Sequence, residues 1–139
     1  MPSGRRNRGG RRGQRGFTLI ELLVVCAIIG ILSAAAVANY RRSIIKAKEA
    51  VLQQDLYTMR TLINQYFADK GKYPSGLEDL VEAHYLQAIP RDPFTDNSDS
   101  WVTEQAEMDE SDISTEPGIA NVRSGADGTS LDGRDYSEF

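Results

Sequence analysis

The stretch Arg15-Gly16-Phe17-Thr18-Leu19-Ile20-Glu21-Leu22-Leu23 joins a basic head to a nearly unbroken apolar run, and that junction decides the fold. Six arginines lie at or before Arg15. A basic head ahead of an apolar stretch stays in the cytoplasm and sends the following segment into a membrane. From Phe17 to Ala38 the run holds 22 residues. As a helix it spans about 33 Å at 1.5 Å per residue, enough to cross a bilayer. Glu21 is the one charged residue inside it. A carboxylate in hydrocarbon needs a partner, and nothing nearby in the chain supplies one.

These residues resemble the amino-terminal signal of the type IV pilin and pseudopilin superfamily, which reads Gly, Phe, then Thr-Leu-Ile-Glu. Here those positions are Gly16, Phe17, Thr18, Leu19, Ile20 and Glu21. The resemblance implies that a prepilin peptidase cuts between Gly16 and Phe17 and methylates the new amine of Phe17. Glu21 is then the natural partner of a neighbouring subunit's Phe17 amine during assembly. An ordinary secretory signal has a shorter apolar core and a small-residue cleavage site after it. Ala34-Ala35-Ala36 imitates such a site and marks the plainer alternative.

Without the six leader arginines, the net charge falls from −4 to −10. Such a surface repels phosphate, so no nucleic acid is expected as a partner. The leader arginines set topology rather than bind RNA. About 100 residues remain outside the bilayer, enough for one small domain. The one cysteine, Cys26, falls in the apolar run and reads as a small packing residue.

Beyond Tyr40 the apolar positions continue as Ile44, Ile45, Val51, Leu52, Leu56, Met59, Leu62, Ile63, Tyr66 and Phe67. Spacings of three and four place them on one stripe of a helix, with Arg41, Lys48, Glu49, Gln53 and Arg60 on its other faces. No proline interrupts from Phe17 to Lys72, and Gly71 with Pro74 beyond it provides a stop. Many pilin relatives carry a proline where this chain has Ala38, so here the helix is expected to run on.

The head opens with Tyr73-Pro74-Ser75-Gly76-Leu77-Glu78-Asp79-Leu80. Ser75 and Glu78 have capping-box spacing, which predicts a short helix carrying Leu77, Leu80 and Val81 inward. Tyr85-Leu86-Gln87-Ala88-Ile89-Pro90-Arg91-Asp92-Pro93-Phe94 leaves little room for regular structure. This order of a YP segment, a YL-x-x-x-P turn and a DP dipeptide resembles the major pseudopilins of type II secretion. His84 stands alone, without a second ligand or nucleophile, and reads as a surface or hinge residue. Trp101-Val102-Thr103 and Ile119-Ala120-Asn121-Val122 read as two short strands. Between them Glu104, Glu107, Asp109, Glu110, Asp112 and Glu116 read as a solvated acidic loop rather than a metal site.

Residues 124–135, Ser-Gly-Ala-Asp-Gly-Thr-Ser-Leu-Asp-Gly-Arg-Asp, do show close turns. Calcium takes six to eight oxygens from carboxylates and backbone carbonyls on a sharply bent loop. Asp127, Asp132 and Asp135 supply charge, and the glycines let the chain curl. The spacing is not that of an EF-hand. Ser124 to Gly128 resembles the calcium loop of the major pseudopilins. That resemblance implies calcium as a cofactor, with Asp127 the best ligand, Asp132 and Asp135 next, and carbonyls near Ser124 and Thr129 completing the shell. A plain pair of Asp-Gly turns is the alternative.

The expected architecture is α+β: one long amino-terminal helix with a small head of a short helix and a short antiparallel sheet. The segments expected are a leader over 1–16, a transmembrane helix over 17–38, its amphipathic extension over 39–72 and a head over 73–139. The resemblance implies a structural protein, not an enzyme. It would be a single-pass inner-membrane chain with its amino terminus cytoplasmic and its head periplasmic. It would leave membrane lipid to form a helical homo-oligomeric filament, with the secretion assembly platform and minor pseudopilins as further partners. A surface pilus subunit for adhesion, motility or DNA uptake remains the alternative. A membrane-anchored hydrolase has no Ser-His-Asp, Cys-His or histidine-rich constellation to support it.

Overall fold

The structure, a computed structural model, describes residues 16–107 and 117–139. The leader up to Arg15 and, in the acidic loop, Asp109, Glu110, Asp112 and Glu116 lie outside the described residues. The elements in chain order are α1 (Leu19–Lys70), α2 (Leu77–Glu82), β1 (Val102–Gln105), β2 (Ile119–Arg123) and a 3-10 turn at Tyr136–Glu138. By internal contacts the chain divides into two compact units, Met1–Asn39 and Tyr40–Phe139.

In the first unit, α1 runs through Ala38 without a break, as expected where no proline removes a backbone donor. Its apolar side chains there are exposed, from 87% at Leu19 to 45% at Val25. Among the described residues α1 is the one helix long and apolar enough to cross a membrane.

In the second unit, one stripe of α1 carries the core. Leu52, Leu56, Met59, Ile63 and Tyr66 are buried on it, each large side chain contributing about 1.5–3 kcal/mol when fully buried. Two of the residues expected on the polar faces belong elsewhere. Glu49 continues the buried stripe one turn below Leu52. Arg60 is half-buried and donates to the carbonyl of Val122 at 2.9 Å and to the Phe139 oxygen at 2.7 Å. Both long polar chains turn inward because the covering loops offer them backbone partners.

Gly71 ends α1 at φ +72°, its N–H bonding the Phe67 carbonyl at 2.8 Å. Only glycine enters that left-handed region without a steric penalty. Tyr73 stacks on Phe67 at 4.4 Å between ring centroids, which folds the chain back onto the helix.

The capping box expected at Ser75 and Glu78 does not form, and α2 starts without a side-chain cap bond. Gly76 takes the cap position of α2, and Asp79 instead accepts the Ser75 N–H at 2.6 Å. Leu77 and Leu80 are buried as expected, whereas Val81 is only half-buried. The two strands pair antiparallel, Val102 opposite Arg123 and Thr103 opposite Val122, with an irregularity after Glu104. Trp101 lies just outside β1, buried, and its indole donates to the Pro90 carbonyl at 2.8 Å.

Candidate functional site

Two places in the chain carry the functional expectations. The first is the start of α1. Thr18 occupies the cap position, and its hydroxyl accepts the Glu21 N–H at 3.3 Å while its carbonyl accepts the Leu22 N–H at 3.1 Å. Thr18-Leu19-Ile20-Glu21 thus has the T-x-x-E spacing of a capping box, a signal in the motif that the sequence reading assigned only to Ser75 and Glu78. The cap satisfies one of the backbone donors that a helix start leaves open. It also puts the Glu21 carboxylate in the first turn, where the helix dipole favours negative charge. Gly16 and Phe17 precede the helix in open chain, and Phe17 is 84% exposed. Cys26 is exposed within α1.

The second is the loop over 124–135. Its entry is anchored by a residue that the sequence reading passed over. Asp92, fully buried, accepts the Phe94 N–H at 2.8 Å on one oxygen and the Ser124 hydroxyl on the other. The Ser124 oxygen also accepts the Ala126 N–H at 3.1 Å. Asp92 belongs to the Asp-Pro turn, so that turn holds the loop's first residue. Gly125 packs against the Ser100 carbonyl so closely that a Cβ there would collide with it. The aromatic next to the turn, Phe94, stacks on Tyr136 at 4.1 Å.

Beyond Ala126 the loop folds on itself. Thr129 and Asp135 form an antiparallel bridge, and the Tyr136 N–H reaches the Gly128 carbonyl at 3.0 Å. The tip at 130–134 closes through the Ser130 N–H on the Arg134 carbonyl at 2.7 Å. Gly128 and Gly133 have φ of +115° and +84°. Glu49 docks the whole turn onto α1, accepting the Leu131 N–H at 2.8 Å and the Tyr136 hydroxyl at 3.2 Å. Burial, and then the bond to Glu49, pushes the Tyr136 phenol above its ordinary value.

Asp127, Asp132 and Asp135 are exposed on this loop, and Asp135 accepts the Thr129 hydroxyl at 3.3 Å. Ser124 is buried and Thr129 exposed. Among the described residues no three Asp, Glu, His or Cys side chains form a group able to hold a metal ion. The oxygen donors and the bent backbone suit calcium in kind, while the loop does not gather its carboxylates. His84 serves backbone geometry. At φ +61° it caps α2, with its N–H on the Val81 carbonyl at 3.1 Å and the Tyr85 N–H on the Leu80 carbonyl at 2.9 Å.

A long helix that opens in an apolar, capped Gly-Phe-Thr-Leu-Ile-Glu segment and carries a small α+β head defines a pilin-like subunit. Residues 11–37 match the prokaryotic N-terminal methylation motif. The chain is 34% identical over 97 residues to the Type II secretion system core protein G of Escherichia coli (strain K12), covering 58% of this chain and 67% of that one. It is 36% identical over 100 residues to the core protein G of Pseudomonas aeruginosa, covering 60% of this chain and 70% of that one. With that of Vibrio cholerae the identity is 33% over 98 residues, covering 60% and 67%. The chain belongs to the type II secretion system core protein G family. No solved structure matches it.

Proposed function

We propose that this chain is the structural subunit of a type II secretion pseudopilus, a helical filament that drives folded proteins through an outer-membrane channel. A prepilin peptidase removes residues 1–16 and methylates the Phe17 amine. The mature chain waits in the inner membrane with its head periplasmic, and subunits then leave the lipid for the filament on the assembly platform, with minor pseudopilins among their partners. It turns over no substrate. Loop 124–135 takes calcium through Asp127, Asp132 and Asp135, with carbonyls near Ser124 and Thr129.

The observation that carries the reading is a methylation motif at 11–37 joined to similarity that continues well beyond it, over 97 residues and more. The motif alone would suit a surface pilin equally. The longer match is to secretion core proteins. Intact-mass analysis of the membrane-extracted chain tests the first step: the expected mass is that of Phe17–Phe139 plus one methyl group. A retained leader, or a terminus after Ala36, would overturn it.

A further inference from the structure

Four cations and no acid lie between Tyr40 and Lys48, and residues 49–139 then hold 19 acidic and 6 basic residues, a net charge of −13. Positive charge is therefore concentrated in the stretch of α1 that follows the apolar run. Arg41, Arg42 and Lys46 are exposed, and none has an ion-pair partner among the described residues, where the pairs are Arg91–Asp96 and Arg123–Glu104. Lys48, the fourth cation, reaches over the Phe94 ring at 5.9 Å. Between these cations the helix still shows apolar surface: Tyr40 is 68% exposed, Ile44 40% and Ile45 37%.

We propose that Arg41, Arg42 and Lys46, with Tyr40 beside them, form a binding site for anionic phospholipid headgroups. The inference rests on the single-pass reading above and names the lipid that the chain holds before assembly. Height along the helix carries it. The 22 residues over 17–38 span about 33 Å against a hydrocarbon core of about 30 Å, and each headgroup layer adds roughly 5–7 Å. Arg41 and Arg42 follow Ala38 by about 4–6 Å of helix rise, within that layer. Lys46 follows it by about 12 Å. Helical side chains tilt toward the amino terminus, so the lysine stem leads its ammonium back toward the phosphates. Tyr40 stands at the level where tyrosines gather at membrane–water boundaries. Charge complementarity then selects the lipid. The acidic remainder of the chain is repelled by an anionic surface, and the band at 41–46 supplies the attraction at the contact. Arg41 and Lys46 lie about 140° apart around the helix, with Arg42 between them. The three therefore reach separate headgroups rather than converge on one carboxylate of a neighbouring protein. Removal of residues 1–16 sharpens the effect, since the cations left beside the apolar run then all follow it.

The test uses the membrane-extracted full chain in mixed micelles with equal amounts of phosphatidylglycerol and phosphatidylcholine, the lipids that stay bound being counted by native mass spectrometry. The wild-type chain should retain phosphatidylglycerol several-fold over phosphatidylcholine. Arg41→Gln, Arg42→Gln and Lys46→Gln combined should abolish the preference. Arg41→Lys with Arg42→Lys should keep it. So should Lys70→Gln with Lys72→Gln, which neutralise two exposed cations at the other end of α1. A wild-type chain that retains both lipids equally, or a neutralised chain that keeps the preference, overturns the site and leaves the single-pass reading standing. Loss of filaments in the neutralised chain, with no lipid preference in the wild type, overturns the site too and assigns the cations to a neighbouring protein. A chain absent from the membrane fraction removes the single-pass reading, and the site with it.

Discussion

The Glu49 carboxylate, on the long helix, accepts both the Leu131 N–H and the Tyr136 hydroxyl, which lie 82 and 87 residues further along the chain. One buried acid thereby fastens both arms of the carboxy-terminal turn to the element expected to form the filament core. Glu49→Ala leaves a backbone donor and a phenol without their partner, a loss of about 1–3 kcal/mol for buried groups. Glu49→Gln keeps an acceptor oxygen and should lose less. Urea denaturation of the fragment from Arg41 onward separates the two. The Tyr136 phenol is raised above its ordinary 10.0, first by burial. Its contribution is complete below pH 10 and is lost as the pH rises through the folded-state value.

His84 holds a position that glycine usually fills. Its φ of +61° and the paired bonds from His84 and Tyr85 back to Val81 and Leu80 form a Schellman cap on α2. A side chain in the left-handed region costs about 1–2 kcal/mol, and glycine gives back about half of that in unfolded-state entropy. His84→Gly should therefore raise stability by roughly 0.5–1 kcal/mol. A shift in the thermal midpoint measures it, and a lower midpoint would show that the imidazole has a contact of its own.

Asp55 is raised above 3.8, first by burial and then by the Asp92 carboxylate. A raised acid binds its proton more tightly in the folded state. Its penalty is absent below pH 3.8, grows as the pH rises through the folded-state value, and is complete at neutrality. Asp55→Asn should stabilise the head at pH 7 and make no difference near pH 3. Denaturation curves at both values test this, and an equal effect at the two would assign the gain to packing rather than charge.

The long helix, its glycine stop, the short second helix and both strands were legible because each rests on local pattern: periodicity, a breaker, β-rich residues between turns. Glu49 and Asp92 were not. Periodicity alone puts Glu49 in line with Leu52 and Leu56, but a carboxylate reads as a solvent residue until a partner is visible. Its partners stand more than 80 residues away. Asp92 reads as half of an Asp-Pro turn, and only the fold brings Ser124 to its second oxygen. The Thr18–Glu21 cap was legible and was hidden by the stronger signal it sits in. The loop's aspartates were recognised as a set from their spacing with glycine, and spacing does not report whether three side chains converge.

Glu21 should matter for assembly and not for insertion. A lone carboxylate in hydrocarbon costs on the order of 2.5–3.5 kcal/mol on insertion scales, and in the filament proposed above a neighbouring subunit's Phe17 amine would offset that by pairing with it. The cap on Thr18 uses the Glu21 backbone and leaves its carboxylate for such a partner. Glu21→Ala should insert normally and form far fewer filaments when expressed as the sole copy. Equal filament yield would show that the carboxylate reaches headgroups by itself.

Calcium should stabilise the head. An ion bound only by the folded state adds about 2.7 kcal/mol at 100 times its dissociation constant. Binding has to draw the loop's exposed aspartates together, since no three acidic side chains are grouped among the described residues. The thermal midpoint of the fragment from Arg41 onward should therefore rise with calcium and far less with magnesium, which demands a tighter octahedral shell and holds its waters. Asp127→Ala should remove the gain, whereas neutralising Asp109 and Glu110 should barely change it. That contrast separates a specific site from screening of an acidic surface, which any divalent ion provides. A midpoint indifferent to calcium, or equally responsive to magnesium, would leave 124–135 as a glycine-bent turn held by Glu49 and Asp92 alone.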